Sequence, residues 1–234
     1  MEKGLLRILT INVDGIREPG KILALENFVA QELPDILIVT ETHLTEKEAR
    51  GLILAGYVAI TESSMPRDGT RIRGGVAILA KIGVTCEELK EGEVQELALP
   101  LYSCTILVFL NDEDQRELKI TGVYLPPKGG QTAEKLSVLT GAKVSRMCRG
   151  RRVGHILAGD FNHPNWESGY RKWTGTQGLW ELSDPEVGTF GSGNALDKFL
   201  FFPGDYIPMS FLSPGVSCRL DDASQCRFAP MSFR

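Results

Sequence analysis

Acid, amide and phenol side chains stand where apolar runs of this sequence end or begin. Loops beyond strand ends carry much of the chemistry of α/β proteins, because the sheet behind them is rigid. Each such residue taken alone has a structural explanation, such as a turn or a cap, so the set is what predicts a site. Its members are Asn12, Glu41, Tyr124, Asp160, Asn162 and Asp197.

This inventory suits the hydrolysis of a phosphate ester. A hard divalent cation such as Mg²⁺ binds carboxylate oxygens, keeps several waters and offsets charge on the phosphate oxygens. A second carboxylate can orient or deprotonate the attacking water. The sequence has no nucleophilic Ser or Cys motif, no P-loop and no dinucleotide fingerprint. We therefore expect a Mg²⁺ site in which Mn²⁺ can substitute.

The elements that must position these residues alternate between strands and helices. A helix over Lys21–Leu33 is ended by Pro34, Thr45 and Glu48 form a capping box at a short helix, and a third helix covers Thr132–Cys148. Polar loops are predicted at Ser63–Arg73 and Asn111–Glu117. Strands are predicted at Leu5–Val13, Asp35–Glu41, Tyr57–Thr61, Gly74–Lys81, Ser103–Leu110, Leu118–Tyr124, Val153–Asp160, Lys198–Phe202, Ile207–Leu212 and Cys226–Phe233.

Composition and charge narrow the class of protein. With 42% hydrophobic and 24% charged residues the sequence is typical of a folded protein, and a net charge of −4 requires any DNA-binding surface to be a local basic patch. The 5 cysteines include no C-x-x-C pair, which fits a reducing compartment. There is no signal-peptide pattern and no membrane-spanning apolar run. We expect an intracellular protein that makes no membrane contact.

Six segments together resemble a known superfamily. INVDGI, PDILIVTETHL, RGGVAILAK, TGVYLPP, AGDFNHPNW and TFGSGNALDKFLF follow one another between residues 11 and 202. They are similar to the successive signatures of the endonuclease/exonuclease/phosphatase superfamily. ETHL, GGVAI and the DFN followed by Trp most resemble the apurinic-like endonuclease domains of non-LTR, LINE-type retrotransposons.

The resemblance implies an α/β fold, a four-layer αββα sandwich of two mixed β-sheets flanked by helices. It implies a Mg²⁺-dependent DNA endonuclease that nicks target DNA for retrotransposon integration. It also implies a reverse transcriptase domain in the same polyprotein, and access to the nucleus. We expect residues 1–234 to be a single domain excised from that polyprotein, since folding signals span the whole sequence.

The resemblance also assigns roles by position. Glu41 is implied to be the principal metal ligand, with Asn12 assisting at the metal or the phosphate. Asp160 is implied to position or activate the water. Tyr124 and Asn162 are implied to hold phosphate oxygens.

The family's closing Ser-Asp-His triplet is where this sequence departs from the pattern. Asp197 resembles the carboxylate that pairs with that histidine, but the sequence has no histidine after His163. Either Ser224–Cys226 or Asp221–Asp222 aligns with the triplet, and both registers stay open. Loss of one such preorganised donor costs about 10²–10³-fold in rate. The histidines present are His43, His155 and His163.

Contacts with DNA are expected from a second group of residues. Thr189 resembles the family's DNA-binding Thr, and Arg73 lies in a polar loop before GGVAI. Arg149, Arg151 and Arg152 lie in the basic run KVSRMCRGRR, which can track phosphates. The alternative for that run is a solvated helix end, where basic residues are favoured.

Three functional hypotheses follow. The first is a working nuclease, favoured because most of the site is present. The second is a catalytically impaired nuclease-fold domain that binds DNA or a protein. The third is a phosphatase for a soluble phosphate ester. The motifs that resemble those of retrotransposon endonucleases argue against it.

Overall fold

The fold was obtained as a computed structural model, and some parts of the chain are not described by it. The residues that it describes are 6–63, 74–89, 103–110, 116–125, 147–148, 151–162, 172, 174–176, 178, 180–181, 197–202, 218–219 and 231–233.

Strands dominate these residues. In chain order they are β1 (Leu6–Asn12), β2 (Ile36–Thr40), β3 (Ile53–Leu54), β4 (Tyr57–Ser63), β5 (Val76–Lys81), β6 (Cys86–Glu88), β7 (Ser103–Phe109), β8 (Glu117–Tyr124), β9 (Met147–Cys148), β10 (Arg151–Arg152), β11 (Gly154–Asp160), β12 (Trp180–Glu181), β13 (Asp197–Phe202), β14 (Cys218–Arg219) and β15 (Met231–Phe233). Two helices are described from end to end, α1 (Pro19–Glu32) and α2 (Glu46–Arg50).

The strands form two mixed sheets and one separate two-stranded sheet, β9 and β10. The first sheet has the order β14-β1-β2-β5-β4-β3, with β15 also paired to β1, and the second has the order β12-β13-β11-β8-β7-β6. Strand β1 is parallel to β2 and β14, and β8 is parallel to β11, whereas the other pairs are antiparallel. Parallel pairing brings the carboxyl ends of β1 and β2 to one edge, and those of β8 and β11 to another.

The sheets pack face to face through aliphatic side chains. Ile8, Ile38 and Ile78 of the first sheet share one buried core with Ile106 and Ile156 of the second. The opposite face of the first sheet is also buried, under α1 and α2. Strands buried on both faces read as continuous apolar runs without alternation. The predicted αββα sandwich of two mixed sheets flanked by helices is confirmed.

Of the predicted helices, the first two are present, and the predicted end of the third is not helical. Helix α1 begins two residues earlier than predicted, with a proline in its first turn, and ends before Leu33, whose φ is 48°. The capping box of Thr45 and Glu48 is present. The predicted end of the third helix is wrong, because Met147–Cys148 is a strand paired with Arg151–Arg152.

Other predictions fall wholly or partly outside the described residues. The predicted strand Cys226–Phe233 is described only at its end, as β15. The rest of the third helix, the strand Ile207–Leu212 and most of the two polar loops are not described. Among the described helices, none is long and apolar enough to cross a membrane.

The capping box contributes folding stability that is lost at acid pH. Hydrogen bonds from Thr45 and the Arg17 side chain lower the pKa of Glu48 to about 2, and the Arg17–Glu48 ion pair spans 2.7 Å. A lowered pKa stabilises the fold above the ordinary value of 4.5, and this contribution disappears as the pH falls towards 2. Because Glu48 is exposed, we expect Glu48→Gln to lose only about 0.5 kcal/mol.

Urea unfolding of both proteins between pH 6 and pH 3 measures this effect. The difference between wild type and Glu48→Gln should be constant near pH 6 and should shrink below about pH 4.5. Glu88→Gln, which alters an exposed carboxylate on β6, serves as the matched control. A difference that does not change with pH would contradict the assignment.

Candidate active site

Three predicted site residues from two sheets meet around one amide. Asn12, at the end of β1, donates from Nδ2 to Glu41 Oε1 at 2.9 Å and to Asp160 Oδ2 at 3.0 Å. Asn12 is 2% exposed and Asp160 is 3% exposed. The amide therefore joins the sheets and holds two carboxylates side by side, an arrangement that needs a donor between them because like charges repel.

The loop after β2 is held in a strained conformation. Glu41 and His43 both have a φ of 54°, in the left-handed region that non-glycine residues rarely adopt. Backbone hydrogen bonds maintain it: Gly15 N–H donates to the Glu41 carbonyl at 2.7 Å, and His43 N–H donates to the Gly74 carbonyl at 2.9 Å. Such strain persists where the surroundings over-determine it, commonly at functional sites.

The loop after β1 lies beside it. Asp14 has a φ of 43°, and its N–H donates to Asn12 Oδ1 at 3.0 Å. Lys21 of α1 reaches back and donates from Nζ to the carbonyls of Val13 and Asp14, at 3.1 Å and 2.6 Å. Helix α1 thus fixes the loop that carries Asp14.

A potential cation site lies between these two loops. One ligand atom from each of Asp14, Glu41 and His43 lies within 4.8 Å of the others. Carboxylate oxygens are the ligands that hard divalent cations prefer. Sequence reasoning missed Asp14, and it noted His43 without giving it a role. The signal was their spacing, since each follows a predicted site residue, Asn12 or Glu41, by two positions.

The second sheet presents Asp160 in a fixed orientation. Asp160 Oδ1 accepts a hydrogen bond from Asn162 N–H at 2.9 Å. Asn162, with a φ of 49°, donates from Nδ2 to the Leu125 carbonyl at 2.6 Å. Leu125 N–H in turn donates to the Asp160 carbonyl at 2.8 Å. The Asp160 carboxylate is thereby held from both sides, by Asn162 and by Asn12.

Two further predicted residues share a row with Asp160. Tyr124 aligns with Asp160 across the parallel pair β8–β11, and Asp197 aligns with it across the antiparallel pair β11–β13. Tyr124 is 4% exposed and belongs to the core between the sheets. The backbone therefore brings all three residues to one edge of the second sheet.

The remaining predicted residues are not brought into this description. Arg151 and Arg152 form β10, but the structure describes only their backbone. The C-terminal segment does return to the site edge, because β14 aligns Arg219 with Asn12. Sequence reasoning did not single out Arg219. The predicted positions that lie outside the described residues are Thr189, Arg73, Arg149, Asp221–Asp222 and Ser224–Cys226.

Solved structures share this architecture. The AP endonuclease LMAP from Leishmania major matches with a TM-score of 0.60 at 16% identity, over 86% of this chain and 80% of that chain. The endonuclease domain of TRAS1, a telomere-specific non-LTR retrotransposon, matches with a TM-score of 0.56 at 17% identity, over 84% of each chain. The 3′ phosphatase NExo from Neisseria, bound to a product DNA hairpin, matches with a TM-score of 0.60 at 17% identity, over 98% of each chain.

A sequence comparison identifies the family. The sequence model of the Endonuclease/Exonuclease/phosphatase family matches residues 9–221, a span that includes the end of β1 and all of β2, β8, β11 and β13. The ends of those strands carry Asn12, Tyr124, Asp160 and Asp197, and Glu41 directly follows β2. The chain belongs to the endonuclease/exonuclease/phosphatase family.

Proposed function

We propose that this chain is a divalent-metal-dependent endonuclease that hydrolyses phosphodiester bonds in DNA. The observation that carries the proposal is the pair of hydrogen bonds from Asn12 to Glu41 and Asp160. They hold two carboxylates side by side, and metal-assisted phosphoryl hydrolysis would use one of them to bind the metal and the other to direct the water.

Glu41 and Asp14 would hold the metal, with Mg²⁺ as the expected ion and Asn12 beside it. The donor set fits, because two carboxylates and retained waters suffice for this cation. The bound ion would offset the charge that develops on the phosphate oxygens. Asn12 orients the Glu41 carboxylate by donating to its Oε1.

Asp160 would position or activate the attacking water. Its carboxylate is fixed by Asn12 and by the Asn162 N–H, so little reorganisation is needed when the water is aligned. Asn162 and Tyr124 would hold phosphate oxygens. The amide of Asn162 has a second N–H beyond the one donated to Leu125.

Residues beyond this centre would complete substrate binding. Asp197 is in register with Asp160, and it would act where the site contacts the phosphate. Thr189, Arg73 and the arginines of the basic run, Arg149, Arg151 and Arg152, would contact DNA. Binding through phosphates should weaken as salt rises and show little sequence preference.

We further propose the setting of a non-LTR retrotransposon, with DNA as target and nicking as the step that precedes integration. This setting is supported by the ETHL and GGVAI motifs and by the structural similarity to the TRAS1 endonuclease domain. In this setting the chain is one domain, 1–234, of a polyprotein with a reverse transcriptase, and it acts in the nucleus. The absent family histidine favours the alternative, an impaired domain that binds DNA or protein.

A plasmid assay separates the two. Wild type with Mg²⁺ should convert supercoiled plasmid to the open-circular form, and excess EDTA should stop the conversion. The Glu41→Ala/Asp160→Ala double variant should be inactive, whereas Glu88→Ala, on the edge strand β6, should behave as wild type. A folded wild-type protein that shifts DNA on a gel and never nicks it would sink the nuclease proposal and leave the binding module.

A further inference from the structure

His43 stands at the cation site in a position that the metal-carboxylate chemistry above does not use. Its Nε2 lies 3.7 Å from Glu41 Oε2, and the two side chains are 24% and 12% exposed. With one oxygen of Asp14 they form a group in which all three ligand atoms lie within 4.8 Å. Two carboxylates and one imidazole are thus directed at a single small volume.

The spacing fits ligands of one ion better than it fits a hydrogen bond. An N–H···O bond spans about 2.7–3.2 Å, so 3.7 Å between Nε2 and Oε2 is too long for one. Two ligands that each lie about 2.1 Å from one ion are about 3.0–4.2 Å apart, depending on the angle between them. The Glu41–His43 separation lies inside that range.

The imidazole is also fixed from behind. A Cβ on Gly15 would lie 2.8 Å from His43 Nδ1, so the ring occupies the space that this glycine leaves empty. The His43 N–H is held by the Gly74 carbonyl at 2.9 Å. On the other side, Asn12 engages Glu41 Oε1, and Oε2 is the oxygen that faces Nε2. Both ligands are therefore oriented before any ion arrives.

We propose that His43 is a nitrogen ligand of this metal centre, so that the centre prefers a first-row transition ion over Mg²⁺. The inference rests on the proposed function for the presence of a metal at Glu41. Imidazole is a good ligand for transition ions and a poor one for Mg²⁺, which favours oxygen ligands and gives up its waters reluctantly. An oxygen-only centre would not discriminate in this way.

Mn²⁺ is the probe that tests the bond directly. Pulsed EPR of Mn²⁺ bound to wild type should show coupling to a nitrogen nucleus, and labelling the protein with ¹⁵N-histidine should change that signal. His43→Gln should lose the signal. Its affinity for Mn²⁺ and for Zn²⁺, measured by calorimetry, should fall by about 10–100-fold, a loss comparable to that caused by disturbing other partners of metal ligands.

Mg²⁺ provides the matched comparison. The affinity for Mg²⁺ should be nearly the same in wild type and in His43→Gln, whereas Glu41→Gln should lower the affinity for both Mg²⁺ and Mn²⁺. Absence of nitrogen coupling in the wild-type protein overturns the inference, and this measurement does not require that the variant fold. An equal loss of Mg²⁺ and Mn²⁺ affinity in His43→Gln would also overturn it.

The inference and the proposed function can fail separately. Mg²⁺-dependent nicking without nitrogen coupling would leave the nuclease intact and remove His43 from the metal. Nitrogen coupling in a protein that never nicks DNA would establish the ligand and remove the nuclease.

Discussion

Asn12→Asp is expected to cost about 3–5 kcal/mol of folding free energy at neutral pH in the presence of EDTA, the range seen when a buried charge is left uncompensated. The new carboxylate oxygen would stand where Nδ2 now lies, 2.9 Å from Glu41 Oε1 and 3.0 Å from Asp160 Oδ2. Three carboxylates would then share a buried volume. Two hydrogen bonds, of which the one to Asp160 joins the sheets, would become two repulsive contacts.

The sign of the pH dependence identifies the cause. Like charges raise the pKa of a carboxyl group, so the folded variant would bind protons that the unfolded chain releases. Its stability should therefore fall as the pH rises above the ordinary carboxyl range, and the deficit should shrink as the pH falls towards 5. Millimolar Mg²⁺ or Mn²⁺ should restore part of the lost stability at neutral pH. The cation would supply the positive charge between the carboxylates that the two amide N–H groups of Asn12 provide in wild type.

Urea unfolding at pH 7.5 and pH 5 measures both effects. Asn27→Asp is the matched control, because it makes the same chemical change at an exposed position of α1, and it should lie within about 0.5 kcal/mol of wild type at both pH values. A deficit in Asn12→Asp that is independent of pH would show that packing, and not charge, holds the two carboxylates together.

The convergence of Asn12, Glu41 and Asp160 could be predicted from the sequence. Each residue stands at the end of an apolar run, and β1, which ends at Asn12, is the parallel neighbour of β2, which Glu41 follows. Long apolar runs identify the strands of the first sheet well because both of its faces are buried. The contact between the sheets followed only from the family resemblance, because no local pattern links residue 12 to residue 160.

Other features depended on tertiary structure. Asp14 and His43 lie in turns with a positive φ, and hydrophobic periodicity carries no information about where such turns direct a side chain. Met147–Cys148 continues a helical pattern but pairs with Arg151–Arg152, so strand pairing overrode local propensity. The roles assigned to the site residues remain predictions: those of Asn12, Glu41, Tyr124, Asp160, Asn162, Thr189, Asp197 and the arginines.

Gly159→Ala is the second change with a large expected effect, because it acts on the strand pair that aligns Tyr124 with Asp160. Gly159 lies opposite Val123 in the parallel pair of β11 and β8, with a φ of 140°. A Cβ there would lie 2.0 Å from the Val123 carbonyl oxygen and 3.0 Å from its nitrogen and carbonyl carbon. All three are backbone atoms, so no side-chain rotation can relieve the clash.

The two strands would have to separate, and separation breaks the hydrogen bonds that set the register of Tyr124 and Asp160. We expect Gly159→Ala to lose about 4 kcal/mol or more, the range reserved for severe packing or backbone conflicts, or to give no folded protein. Gly20→Ala is the matched control: nothing lies within 4 Å of its Cβ position, and alanine in α1 should stabilise by about 0.4–1 kcal/mol. Urea unfolding and soluble yield of the two variants decide the matter. A folded Gly159→Ala protein with wild-type stability would mean that β8 and β11 do not pair in this register, and the row that brings Tyr124, Asp160 and Asp197 together would be lost with it.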